Sequence, residues 1–239
     1  LQYALLGDPA LIFGNPEAKV ILDSINGEPV NGEQQFQGGT RIRLSGHIEK
    51  EAGKVYNNFN GLLFFRLYDS KSTITTRGNT GDEPFTYEDW NKEINNGSDS
   101  IINGKFSTTL IIPKDISYSN ESGRLVFYAI ANDNNMEANG SCEDFLIGGY
   151  SQEASTDTIG PEIFMYLNDK DFTDGDAVNS TPIFVAELHD ESGIQYNGNG
   201  IGHDLQICID GDPKKTFNLN SFYSQNRGDH TCGNVYFAE

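Results

Sequence analysis

The sequence predicts an all-β protein built as two β-sandwich units in tandem, and three observations carry that expectation. Apolar and polar residues alternate with a period of two along several stretches, as on half-buried strands. Gly is abundant, at 26 of 239 residues, and recurs in Asn-Gly and Asp-Gly pairs that mark tight turns. Hydrophobic residues make up only 36% of the chain, but 15 Phe and 11 Tyr are present, enough large rings to fill such a core. A chain of 239 residues accommodates one or two domains. With 16 basic residues against 35 acidic ones the formal net charge is −19. Neither nucleic acid nor an anionic membrane surface is therefore expected as a main partner, since each calls for a basic patch.

In chain order, Val20 to Asn26 is rich in β-formers and runs into an Asn26-Gly27 turn. From Thr40 to Ile48 the alternation places Ile42, Leu44, Gly46 and Ile48 on one face and Arg41, Arg43, Ser45 and His47 on the other. Leu62 to Asp69 predicts a further strand, and its adjacent Phe64 and Phe65 predict cover on both faces. Phe85 to Ile94 fits two helical turns, with Thr86 as cap and Asp89 in the first turn. Its β-rich surroundings favour strand or irregular structure instead, with Asn95-Asn96-Gly97 as a hairpin turn. Phe106 to Ile112 is stopped by Pro113, and Arg124 to Asn132 is the strongest strand signal in the chain. Asn57 to Gly61 and Asn132 to Asn135 are turn clusters.

Composition shifts over Ser151 to Gly160, a polar stretch followed by Pro161 that reads as a linker. Strand signals resume at Ile163 to Leu167, Ile183 to Leu188, Leu205 to Ile209, Thr216 to Leu219 and Val235 to Phe237. Their spacing is that of an immunoglobulin-like sandwich short of its last strands. The longest uninterrupted apolar run, Leu125 to Ala131, falls far below the ~20 residues of a membrane-spanning helix. Leu1 to Ile12 carries Asp8 and no basic leader, so it does not read as a signal peptide. A start at Leu points to a piece of something longer, with any export signal outside it.

The chemistry-bearing motifs each fall short of their structural requirement. Gly198-Asn199-Gly200-Ile201-Gly202 resembles a phosphate loop, but a strand pattern follows it where a helix N-terminus is needed. Asp169, Asp171, Asp174 and Asp176 are calcium-type ligands, yet Thr173 and Ser180 stand where a helix–loop–helix site needs acids, so a solvated turn is expected. His203, Cys208, His230 and Cys232 are zinc-type ligands without the usual paired spacing, and a Cys208–Cys232 bridge is the other use open to the thiols. Cys142 lies between Ser141 and Glu143, in an acidic stretch that raises a thiol pKa. Cys232 and His230 share a strand face with Cβ atoms about 6–7 Å apart, and no third group is evident to orient the imidazole. No catalytic, cofactor-binding or metal-binding residue is assigned, and no cofactor is expected.

Several segments carry a family resemblance. Leu5-Leu6-Gly7-Asp8-Pro9-Ala10-Leu11 resembles the closing segment of gingipain-type cysteine peptidase domains. Phe59-Asn60-Gly61, Asn103-Gly104-Lys105-Phe106, Ile112 to Tyr118 and Gly123 to Ala129 follow in order. Then come Gly160-Pro161-Glu162-Ile163, Tyr166-Leu167-Asn168-Asp169, Gly193-Ile194 and Gly200 to Asp204. Together they resemble, over nearly the whole chain, the region downstream of the peptidase domain in the PorU family. These are the gingipain-like sortases of the type IX secretion system of Bacteroidetes.

The resemblance implies an outer-membrane-associated parent that removes the C-terminal signal of exported cargo and passes the cargo to an anionic lipopolysaccharide. The family's catalytic His and Cys precede the Gly7-Asp8-Pro9 segment, so none is carried over to this chain. Residues 1–15 would then be the tail of the peptidase domain, 16–150 a first sandwich and 151–239 a second one. The implied partners are the upstream peptidase domain, other secretion components and cargo, in the cell envelope or outside the cell. Two other readings compete. One is a surface module recognising glycan or protein, which would display Trp90, the single Trp, as a platform. The other is a fragment of a secreted gingipain-like protease.

Overall fold

The structure is a computed structural model and describes residues 16–79, 81, 83–151, 159–196 and 204–238. The expected peptidase tail, most of the expected linker, and Gly198 to His203 lie outside the described residues. The chain opens with β1 (Ala18–Ile25), β2 (Glu28–Pro29), β3 (Gln35–Gly38), β4 (Arg41–Glu51), β5 (Lys54–Val55), β6 (Gly61–Tyr68) and β7 (Ser72–Thr75). It continues through β8 (Thr86–Asp89), β9 (Glu93–Ile101), β10 (Lys105–Ile111), β11 (Glu121–Ser122), β12 (Arg124–Ala131), β13 (Glu137–Cys142) and β14 (Leu146–Tyr150). The later part holds β15 (Glu162–Leu167), β16 (Ile183–His189), β17 (Gln206–Cys208), β18 (Thr216–Asn218), β19 (Tyr223–Asn226) and β20 (Asp229–Ala238). Among the described residues no helix is long and apolar enough to cross a membrane.

The main sheet runs β10-β4-β1-β13-β12-β6-β9, antiparallel except where β1 meets β13 in parallel. Its two ends come together. Ile102 bridges Lys105, and the Asn95 side chain donates to the Ile111 carbonyl at 3.0 Å. The sheet thus folds over on one core, as a sandwich does. β4 shows why: Ile42, Leu44, Gly46 and Ile48 are buried, as their alternation requires. Gly46 is Gly because a Cβ there would run into the Ile21 carbonyl and the Phe106 ring. The Asn26-Gly27 turn has φ of 53° and 86°, the pair of positive values that a tight hairpin takes. A register shift in β1 between Leu22 and Ser24 accompanies Asp23, whose carboxylate meets His47 Nδ1 at 2.8 Å.

Two expectations are corrected here. Phe64 is 42% exposed while Phe65 is 2% exposed, so β6 is covered on one face only; Phe64 instead stacks on Tyr128 of β12 at 6.2 Å. Asn95-Asn96-Gly97 is not a turn but lies inside β9, opposite Leu67, Arg66 and Phe65 of β6. The Phe65 ring packs over Gly97, where a Cβ would come within 2.7 Å of Cζ, so the glycine admits an aromatic ring instead of breaking the strand.

The later strands form a second sheet, β15-β16-β20-β19, with its own apolar cluster of Ala186, Leu188, Tyr196, Leu219, Tyr223 and Val235. Tyr196 and Tyr223 stack at 4.3 Å, and the Tyr223 ring lies where a Cβ of Gly233 would stand. This sheet touches the first one at the outer edge of β9. The Asn96 N–H donates to Tyr196 Oη at 3.0 Å, and the Gly228 N–H donates to the Ser98 carbonyl at 2.8 Å. Arg41 donates to the Glu191 carbonyl, and Gln195 donates to Asp115 at 2.9 Å.

Phe127 and Phe64 give opposite expectations. Phe127 is 1% exposed and packs on Phe106, so Phe127→Ala is expected to cost roughly 3–5 kcal/mol in urea unfolding. Phe64→Ala, on the open face, is expected to cost under about 1 kcal/mol.

Candidate functional site

The feature that gathers chemistry lies on the outer face of the second sheet. Antiparallel register sets Glu162 of β15 opposite His189 of β16, and His189 opposite Cys232 of β20. Side chains directly opposite each other point to the same face. A carboxylate, an imidazole and a thiol therefore stand in one row across three strands. His189 Nδ1 lies 3.1 Å from Cys232 Sγ. The row opens into a groove lined also by Phe164, Glu187 and Asn226. At the start of β20 the Asp229 carboxylate accepts from the Thr231 hydroxyl at 2.6 Å and the Thr231 N–H at 2.9 Å. Those bonds, with a further one from Cys232, hold the Asp229 carboxyl below the usual carboxylate range.

The sequence set Cys232 beside His230, but the structure gives it His189. His189 falls one residue past the predicted end of its strand and Cys232 three before the predicted start of its own. Only the cross-strand register, which those segments do not reveal, brings the two together. His230 instead has a buried Nε2 without a hydrogen-bond partner among the described residues. Burial and the Arg41 charge push its pKa below the ordinary value.

The other nominated groups stay apart. All three cysteines are free, so the Cys208–Cys232 bridge does not form. Cys208 is exposed and gives its S–H to the Asp212 carbonyl at 3.3 Å. Burial, more than its acidic neighbours, pushes the Cys142 thiol up. Within the acidic loop the carboxylates bind the loop itself: Asp169 accepts from the Asp171 N–H at 2.7 Å, and Asp176 from Thr173 N–H and hydroxyl at 2.8 and 2.7 Å. Trp90 is engaged by Lys71 Nζ at 4.1 Å and Arg124 Cζ at 4.9 Å from its ring centroid, so its π-system is committed within the chain. His203 and the Gly198 to Gly202 loop lie outside the described residues.

One apolar surface was not anticipated. Ile163, Phe164 and Met165 of β15 are 53%, 54% and 61% exposed, on a strand at the end of its sheet. The sequence marked this segment as a strand, but which neighbours cover it is a property of the assembled sheet.

No family model and no curated protein matches the chain. Among solved structures it is similar to dimeric latent PorU from Porphyromonas gingivalis, with TM-score 0.63 and 32% identity over 98% of this chain. This chain is a PorU-related region. It spans 22% of the length of that PorU chain. Spo0M, a sporulation control protein from Bacillus subtilis, superposes over 74% of this chain and 68% of its own at TM-score 0.33 and 11% identity, too slight a likeness to bear on the fold. The PorU likeness extends over nearly the whole chain.

The two described histidines with shifted pKa values act on stability with opposite signs. Burial lowers the pKa of His47, but its bonds to Asp23 and Glu49 outweigh that and raise it. Its contribution is full below the unfolded value of about 6.5 and fades as pH rises. His230 is depressed, so its contribution is full above about 6.5 and is lost as pH falls. Between pH 7 and pH 5 the wild-type chain is expected to lose more stability than His230→Gln, measured by urea unfolding. Because His47 is common to both, the difference isolates His230.

Proposed function

We propose that this chain is the non-catalytic β-sandwich region of a PorU-type sortase, serving as support for the peptidase domain and as a docking surface for cargo or other secretion components. The observation that carries the reading is the match itself: nearly all of this chain aligns with only 22% of a PorU chain. The remaining length of such a parent leaves room for a peptidase domain carrying the catalytic His and Cys. In this reading the parent is a cysteine peptidase of the outer membrane that removes the C-terminal signal of type IX secretion cargo. The two apolar clusters support a division into units 16–150 and 151–239, and the same reading takes residues 1–15 as the tail of the peptidase domain.

The docking half of the proposal draws on β15. At the end of its sheet among the described residues, β15 with exposed Ile163, Phe164 and Met165 offers a strand edge and apolar side chains to an extended partner segment. The test places Ile163→Lys and Met165→Lys together in a full-length PorU-type parent and reads two activities. Hydrolysis of a short peptide is expected to stay at the wild-type level, because the catalytic residues are elsewhere. Processing of a cargo's C-terminal signal is expected to fall about tenfold, the loss of one modest apolar contact. Equal loss of both activities, or loss of neither, would contradict the docking role.

A further inference from the structure

We propose that Cys232 is a reactive thiol with His189 as its proton acceptor, and that the groove around it takes small disulfides and forms a mixed disulfide at Cys232. The site is independent of the sortase reading. Thiol exchange requires a thiolate, so a thiol reacts fastest where a base stands within hydrogen-bond reach and the sulfur is open to the second reactant. His189 Nδ1 at 3.1 Å meets the first condition, and unlike Cys208 the thiol has this base in reach besides the oxygen acceptor it also bonds, the Asp229 carboxylate. Cys232 is only partly buried and borders the groove, which meets the second.

The other two thiols supply the contrast. Cys208 is the more exposed, but its S–H points to the Asp212 carbonyl, which accepts a hydrogen bond without removing the proton. Cys142 is held back by burial. Exposure alone would therefore favour Cys208, whereas proton transfer favours Cys232.

The step balances with the disulfide as oxidant. His189 Nδ1 takes the Cys232 proton, Sγ attacks one sulfur of R–S–S–R, and the S–S bond breaks as the new one forms. The departing thiolate takes the proton back from His189. Cys232 is oxidised to the mixed disulfide and half of the small disulfide is reduced to R–SH. The lining also sets a preference among disulfides. Glu162 lines the groove, Asp229 accepts a hydrogen bond from Cys232, and Glu187 lines it while paired with Lys170, so the imidazolium formed in the step meets net negative charge. A dicationic disulfide is favoured over a dianionic one by the same charges.

The experiment treats the reduced, folded full chain with cystamine and, separately, with the dianionic 5,5′-dithiobis(2-nitrobenzoate), and locates the mixed disulfides by peptide mass. Cys232 is expected to be modified first, and faster by cystamine relative to each reagent's rate with free cysteine. Cys208→Ser is expected to leave that rate unchanged. His189→Ala is expected to slow it about tenfold or more, and added imidazole to restore it, which a packing role would not allow. Modification of Cys208 first in the wild type would overturn the assignment without recourse to any variant. So would an unchanged rate in His189→Ala, or a slowed one that imidazole fails to restore.

Discussion

A strand at the end of a sheet leaves half its backbone N–H and C=O groups without ladder partners, and those groups must be satisfied. At β9 residues of the later part of the chain supply partners. Tyr196 Oη receives the Asn96 N–H at 3.0 Å, and the turn before β20 gives its Gly228 N–H to the Ser98 carbonyl at 2.8 Å. The Tyr196 ring then stacks on Tyr223, whose own ring fills the space over Gly233 of β20. One tyrosine thus links the edge of the first sheet to the core of the second. Gly233 lies next to Cys232, so the strand that carries the thiol is seated through the same contacts.

The acidic balance is distributed without a single acidic field at the core. Asp69 is the one carboxylate among the fully buried described residues, and it is fully engaged. It accepts from Lys92 Nζ at 3.0 Å and from the Ser117 and Ser70 N–H groups at 2.8 Å each. Buried charge is tolerated on those terms. Most remaining carboxylates lie at the surface, where pairs such as Lys170 with Glu187 contribute little individually. Around the His189–Cys232 pair, however, they set the sign of the charge that an incoming reagent meets.

Local pattern made much of the first sheet legible. The alternation of β4, the Asn26-Gly27 turn and the apolar run of β12 all appear in the structure, because each depends on residues a few positions apart. What escaped depends on residues far apart in sequence. Asn95-Asn96-Gly97 carries a strong local turn signal, overridden by the Phe65 ring on Gly97 and by Tyr196 on Asn96. Glu137 to Cys142 is a strand of polar and small residues, marked by no alternation, that sits between β1 and β12 and joins the two halves of the sheet. The pairing of His189 with Cys232 depends on the register of two strands whose central segments were evident and whose ends were not. The family resemblance was legible in short segments, and the PorU likeness over both sheets agrees with it.

Amide hydrogen exchange at Asn96 tests the role of Tyr196 most directly. In the wild-type chain the Asn96 N–H is expected to be protected by Tyr196 Oη. Replacement of Tyr196 by Phe removes the acceptor and keeps the stacked ring, so Asn96 exchange should quicken about tenfold, the equivalent of one hydrogen bond. Amides of β12, such as Phe127, should keep their rates. An Asn96 amide that exchanges as quickly in the wild type as in the variant would contradict the claim that Tyr196 completes the edge of β9.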